Sequence, residues 1–299
     1  MKKVAWRTIQ ISLLVLTVLG MVKAVFVSLD IDESYAVAAA YRLVTGDKLL
    51  YDMWEPHQFS AFLPALFLLP FVRITGSTAY CVIYLRIIGI LIHILIGTYL
   101  YHATKDEIGK KGAFLLTIFH LNFLPKWVCM PEFELMHYWG MLMTFLLLYR
   151  HEKNGKYLYA VLAGAAYFVT VLCYPSMIIL FPLYLIVQRL GKYPIRAALL
   201  FTIGVGVPAC FLSGGVISYM TPTEVFKFTN YILMDSSHTG ENASYKWLRY
   251  FGEFLEQLKY IGIGLGMALG VTLVIALIVK FGAKKKLKIK ELSLIAISV

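Results

Sequence analysis

Long apolar runs recur along almost the whole chain, at about 8–29, 59–74, 79–101, 112–128, 136–150, 157–173, 175–189, 196–220 and 258–281. Segments of this kind are not stable in water. In a bilayer each must satisfy its own backbone hydrogen bonds, which a helix does within one segment. The expected fold class is therefore all-α, a polytopic membrane protein integral to the bilayer, and a soluble enzyme is excluded. The net charge of +11 would fit nucleic acid if the basic residues formed a patch. They fall instead in short breaks between apolar runs (MKKVAWR, KDEIGKK, RHEKNGK, QRLGKYPIR, KFGAKKKLKIK). That is the positive-inside pattern, so the charge reports topology and no nucleic-acid partner. Cys81, Cys129, Cys173 and Cys210 lie far apart with no C-x-x-C pair, which indicates neither a disulfide framework nor a zinc knuckle.

Placing the basic breaks inside fixes most of the path. The first segment exits, and residues 30–58 form an outer loop. The break at 105–111 should again be inside, yet two apolar segments precede it, so one of them does not cross. Segment 59–74 is the candidate, because it is short and holds Pro64 and Pro70, which remove helix hydrogen bonds. Residues 129–135 and a second large loop, 221–257, then share the outer face. The closing LSLIAISV is too short to cross a bilayer, which takes roughly twenty residues. Residues 1–299 are accordingly expected to be a single transmembrane module, the N-terminal part of a longer protein.

The outer loop 30–58 is where chemistry is expected. Acidic residues number 17 in the chain, and Asp30, Asp32, Glu33, Asp47, Asp52 and Glu55 all fall in this stretch. Asp32 and Glu33 open a helical stretch closed by Gly46, on which Tyr35, Ala39 and Arg42 share a face. Asp32 alone would be explained as a helix N-cap. Three acids together are not, and they point to a general base at the membrane edge, with Asp32 and Glu33 as catalytic candidates. Glu55 and His57 precede the dipping segment beside Trp54 and Pro56. Either could ligate a divalent metal, with the remote His238 completing a Glu55–His238 site. Arg42, Lys126, Lys246 and Arg249 lie near the outer face against the charge rule, and an anionic lipid phosphate would account for them. Arg86, inside an apolar segment, requires a partner.

The order of these features resembles the GT-C glycosyltransferases of the protein O-mannosyltransferase and lipid A aminoarabinose-transferase type. In that group an N-terminal helix leads into Asp-Glu-x-x-Tyr-Ala, a Gly-Asp, and a Glu-(Lys)-Pro segment. Here the stretches read Asp32-Glu33-Ser34-Tyr35-Ala36, Gly46-Asp47 and Glu55-Pro56-His57, with one residue rather than two between Glu33 and Tyr35. The likeness runs more loosely to about Phe251. It implies a GT-C-like helix bundle whose outer first loop carries amphipathic helices. It implies Asp32 as the base, Glu132 or Glu134 as the second acidic site, and Glu55 and His238 where some members hold a divalent metal cation. Tyr35, Arg42, Glu132, Glu134, Lys246 and Arg249 would bind substrate. The implied reaction moves a sugar from a polyprenyl-phosphate donor to a lipid, glycan or protein acceptor, outside a bacterial plasma membrane. A transporter or flippase would instead place ionisable residues at mid-membrane on broken helices in repeated halves. A third possibility is a non-catalytic remnant.

Overall fold

The computed structural model describes residues 2–53, 55, 57–189, 191 and 194–233. Further along it describes only positions 252–256, 258, 259, 262, 263, 266 and 270. The chain divides into two units, Met1–Ile232 and Leu233–Val299, and the scattered positions described in the second are helical. The first unit is all-α: α1 (Lys2–Val25), α2 (Ile31–Thr45), α3 (Phe62–Thr75), α4 (Cys81–Thr104), α5 (Gly109–Asn122), α6 (Phe133–Asn154), α7 (Tyr157–Cys173), α8 (Phe181–Arg189), α9 (Pro194–Ile217) and α10 (Pro222–Leu233). Four helical stretches are long and apolar enough to cross a membrane, Trp6–Val25, Gln58–Thr75, Cys81–Thr104 and Ile195–Ile217. The chain therefore reads as a membrane protein.

Contacts sort the helix termini into two ends. At one end Arg150 donates to the His102 carbonyl (3.1 Å), Lys153 pairs with Glu107 (2.7 Å) and Arg196 approaches the Tyr157 hydroxyl (3.4 Å). This basic end gathers the 102–107, 150–157 and 196 breaks. At the other end Arg86, in the second turn of α4, donates to the carbonyls of Val25 (2.9 Å), Val27 (2.8 Å) and Ser28 (3.1 Å) beyond α1. The end of α1 and the start of α4 are thus neighbours, although α2 and α3 lie between them in sequence. By length and composition α3 could span, but its packing keeps it beside α2. Leu68 is buried with Ala40 and Cys81, and Phe71 stacks on Tyr84 at 4.7 Å. Segment 59–74, expected to make no net crossing, is thus long and apolar enough to span and packs against α2 and α4.

Two boundaries differ from the sequence reading. The segment expected as apolar helix over 112–128 leaves the helix at Asn122, because Pro125 lacks an N–H and pushes Leu124 into extended backbone (φ −113°, ψ 108°). Segment 175–189 starts as a 3-10 turn at Pro175–Leu180 before α8. The segment expected at 258–281 lies almost wholly outside the described residues.

Apolar burial gains little inside a bilayer, so shape and internal hydrogen bonds must hold the helices together. Tyr167, Tyr184 and Phe201 interlock α7, α8 and α9 above Leu147 of α6. Asn122 of α5 donates to Thr17 of α1 (2.8 Å). His93 of α4 and His120 of α5 stack at 4.1 Å, and each ring Nε2–H donates to the other's backbone carbonyl (2.9 and 3.1 Å).

Candidate functional site

The first loop folds around its acids. Asp30, not Asp32, is the N-cap of α2: its carboxylate accepts the Asp32 N–H (2.9 Å), and Glu33 reaches back to the Asp30 N–H (3.1 Å). This reciprocal capping box starts the helix two residues earlier than expected and relieves Asp32 of any capping duty. At the other end Gly46 takes φ 106°, a left-handed conformation that costs a residue without Cβ little, and closes the helix on the Arg42 and Leu43 carbonyls.

Glu33, expected beside Asp32 as a catalytic residue, lies in the interior. It is 1% exposed, and both carboxylate oxygens face the Arg86 guanidinium, one accepting from Nε at 2.8 Å. Arg86 spends its remaining N–H groups on the three carbonyls after α1, so the required partner of this buried cation is Glu33. The pair is a structural hub joining α1, α2 and α4, with both carboxylate oxygens engaged.

Asp32 faces the other way. Its Oδ2 accepts from the Lys126 ammonium at 2.6 Å, and the same ammonium donates to Glu134 Oε1 at 2.8 Å. One lysine of the α5–α6 connection thus draws together an acid from the start of α2 and an acid from the first turn of α6. These two carboxylates, Asp32 first, raise the Lys126 pKa. The loop that carries Lys126 is braced from behind: Val128 and Met130 pack on Ala36 of α2 and Leu85 of α4. Gly89 is what lets α4 approach this closely, since a Cβ there would stand 1.9 Å from the Cys129 carbonyl oxygen.

Beside the clasp stands an aromatic wall. His57 stacks on Phe133 (4.1 Å, 8° between planes), meets Tyr174 edge-on at 5.2 Å, and donates from Nδ1 to the Cys173 carbonyl at 2.8 Å. The Tyr174 hydroxyl lies 3.5 Å from Glu134, and burial, then Glu134, raise its pKa. Glu132 is a different kind of acid from its neighbour. It caps α6, accepting from Leu135 N–H (2.6 Å) and Glu134 N–H (2.8 Å), and burial pushes its carboxyl up to about 7 despite those bonds. Of the two acids expected at a second site, Glu134 meets the clasp and Glu132 is a buried cap.

Arg42, expected among the phosphate-binding cations, turns into its own loop. It pairs with Asp47 (2.6 Å) and Glu55 (3.3 Å) and donates to the Asp52 carbonyl. Glu55, expected as a metal ligand, therefore faces a guanidinium through Oε1, while its Oε2 is buried without a partner among the described residues. Tyr35 lies against the same loop, its hydroxyl raised in pKa by burial and then by Glu55. His238, Lys246 and Arg249, together with Trp54 and Pro56, lie outside the described residues. Among the described residues no three His, Cys, Asp or Glu side chains converge as a metal set.

The structure thus unites Asp32, Lys126 and Glu134, with Tyr174, Phe133 and His57 alongside. Sequence reasoning did not single out the last three as a wall, because they come from three separate segments without a shared motif. The arrangement offers carboxylates, a fixed cation and an aromatic surface at one end of the bundle, which suits binding and deprotonating a hydroxylated ligand. Comparison of the chain with protein-family models, curated proteins and solved structures finds no match.

Proposed function

We propose that the chain is a membrane glycosyltransferase that moves a sugar from a polyprenyl-phosphate donor to a lipid, glycan or protein acceptor, on the outer face of a bacterial plasma membrane. The observation that carries this reading is Asp32: a carboxylate freed from capping by Asp30 and held at the bundle end opposite Glu134. Asp32 accepts the proton of the acceptor hydroxyl as that oxygen attacks the anomeric carbon. The bond from that carbon to the phosphate oxygen breaks, and the polyprenyl phosphate leaves as the anion. A single displacement of this kind inverts the anomeric centre. The phosphate calls for cations opposite the base. Arg42 and Lys126 are held by carboxylates, and Lys246 and Arg249, expected among the substrate-binding cations, lie outside the described residues. Glu134 and Tyr174 supply hydrogen bonds to sugar or acceptor hydroxyls.

The test is transfer from a panel of polyprenyl-phosphate sugars by the purified chain. Asp32→Asn should lower the rate by about 10²–10⁴-fold, the range for loss of a general base. Its unfolding should stay within about 0.5 kcal/mol of the parent, as for surface substitutions outside special features. Near-normal transfer in that variant would reduce Asp32 to a surface ion-pair partner.

A further inference from the structure

We infer that Lys126 is the built-in cation of this site: its ammonium takes the position between Asp32 and Glu134 that a divalent metal would otherwise hold. Two carboxylates brought to one point repel each other and need a counter-charge. Here that charge comes from the chain. Nζ donates to Asp32 at 2.6 Å and to Glu134 at 2.8 Å, and the Phe133 ring lies 5.9 Å from it, within the range of a cation–π contact. The three contacts come from α2, from the first turn of α6 and from the first residue of α6.

The backbone is bent to put the lysine there. Lys126 and Trp127 occupy the left-handed region consecutively, at φ 51° and 61°, where neither side chain is favoured. Such strain persists where the surroundings over-determine it, and it gathers at functional sites. The bracing residues Val128 and Met130, together with the Gly89 approach, supply that constraint.

The residues nearby fit a lysine better than a metal. Metal sites built by proteins draw on three or four side-chain ligands; the clasp offers two carboxylates, so a divalent ion would enter only in place of the ammonium and with water completing its shell. The other candidates are already engaged: Glu55 by Arg42 through Oε1, and His57 through the Nδ1 bond to the Cys173 carbonyl. An ammonium donates hydrogen bonds and has no lone pair for a metal, so Lys126 and a divalent ion are alternatives at this point. Lys126 is a positioning residue: it holds Asp32 and Glu134 at a fixed separation. Its effect on turnover rests on the sugar-transfer reading, whereas its occupancy of the cation position does not.

The experiment uses the full chain in nanodiscs with Mn²⁺ alone as the probe, followed by electron paramagnetic resonance. The parent protein and Lys126→Arg should leave equimolar Mn²⁺ free. Lys126→Met should take up one Mn²⁺ per chain and lose it again when Asp32→Asn is added, with melting curves confirming that each variant is folded. Uptake of Mn²⁺ by the parent, abolished by Asp32→Asn, would overturn the inference, because the metal would then displace the lysine. Failure of the folded Lys126→Met protein to bind Mn²⁺ would overturn it equally. In the transfer assay the parent should be indifferent to chelators. Lys126→Met should fall by about 100-fold, the scale of losing one preorganised electrostatic contact, and recover in part with Mn²⁺. A parent that transfers no sugar removes the transferase reading and leaves the Mn²⁺ result to decide the role of Lys126.

Discussion

Replacing Arg86 by Met should be among the most damaging single changes in the chain. The substitution keeps a long apolar stem and removes every donor of the guanidinium. It strands Glu33, which is 1% exposed, with only the Asp30 N–H to satisfy it, and it orphans the carbonyls of Val25, Val27 and Ser28. Removing one member of a buried ion pair costs about 3–5 kcal/mol. Each buried acceptor left unmade adds about 1–3 kcal/mol where water cannot reach it. Of the three carbonyls, that of Val25 is bonded through a buried contact, while those of Val27 and Ser28 are partly open and re-solvate more readily. A net loss of about 5 kcal/mol is therefore expected. Equilibrium unfolding in mixed detergent micelles, followed by circular dichroism, measures it. The companion variant Glu33→Gln keeps the shape and an acceptor oxygen but loses the charge, and should cost about 2 kcal/mol. The double variant should be markedly more stable than the sum of the two losses, because the stranded charge is gone. If Arg86→Met unfolds within about 1 kcal/mol of the parent, or the losses simply add, the hub is not what holds the first loop to α1 and α4.

Two further outcomes follow from buried polar groups. Glu132 has its pKa raised in the folded chain from 4.5 to about 7. The native state then binds more protons than the unfolded state across that window, so stability present below pH 4.5 should be lost as pH rises to about 7, by about 3 kcal/mol. Glu132→Gln should flatten the profile, and an unchanged slope in that variant would assign the dependence elsewhere. His93→Ala leaves the Trp139 Nε1–H and the His120 carbonyl without partners and opens a void beside the His120 ring, and should cost about 3 kcal/mol in the same unfolding assay. A loss under about 0.5 kcal/mol would mean the stacked histidines do not clamp α4 to α5 and α6.

The parts legible in the sequence were those set by short-range rules. Apolar runs gave the helices, and Gly46 gave the end of α2. The misplaced features were decided by competition or by distance in the chain. Asp30 and Asp32 are equally good capping residues on paper, and the choice between them turns on Glu33 reaching back to the Asp30 N–H. Arg86 visibly needed a partner, but any of six loop acids would have served. Glu33 wins because it points inward one turn from Ala36, against Leu85 of α4. Lys126 was legible as a cation out of place under the charge rule. Its junction with Asp32 and Glu134 depends on two left-handed residues that no sequence pattern announces. The aromatic wall was least legible, since Phe, Tyr and His are common in any membrane helix and only the fold brings these particular ones together.

The placement of unspent polar groups also weighs between chemistry at a surface and passage through the bilayer. A transporter needs ionisable groups in the middle of its helices with valences open to a substrate. Among the described residues His93, midway along α4, meets His120 in the last turn of α5, and the valences of both are closed. With each Nε2–H committed to the opposite carbonyl, His93 Nδ1 accepts the Trp139 indole N–H (2.8 Å) and His120 Nδ1 accepts the Tyr138 hydroxyl (2.7 Å). Both rings are neutral in this arrangement. A second proton on His93 would set two donors, its own Nδ1–H and the indole N–H, against each other with no acceptor between them. The pair therefore behaves as a clamp rather than a relay. Unspent valences lie at the acidic end, at the buried Glu55 Oε2 and on the partly exposed carboxylates of Asp32 and Glu134. Closed histidines within the bundle and partly exposed carboxylates at one end favour the proposed reaction at that face over passage through the bilayer.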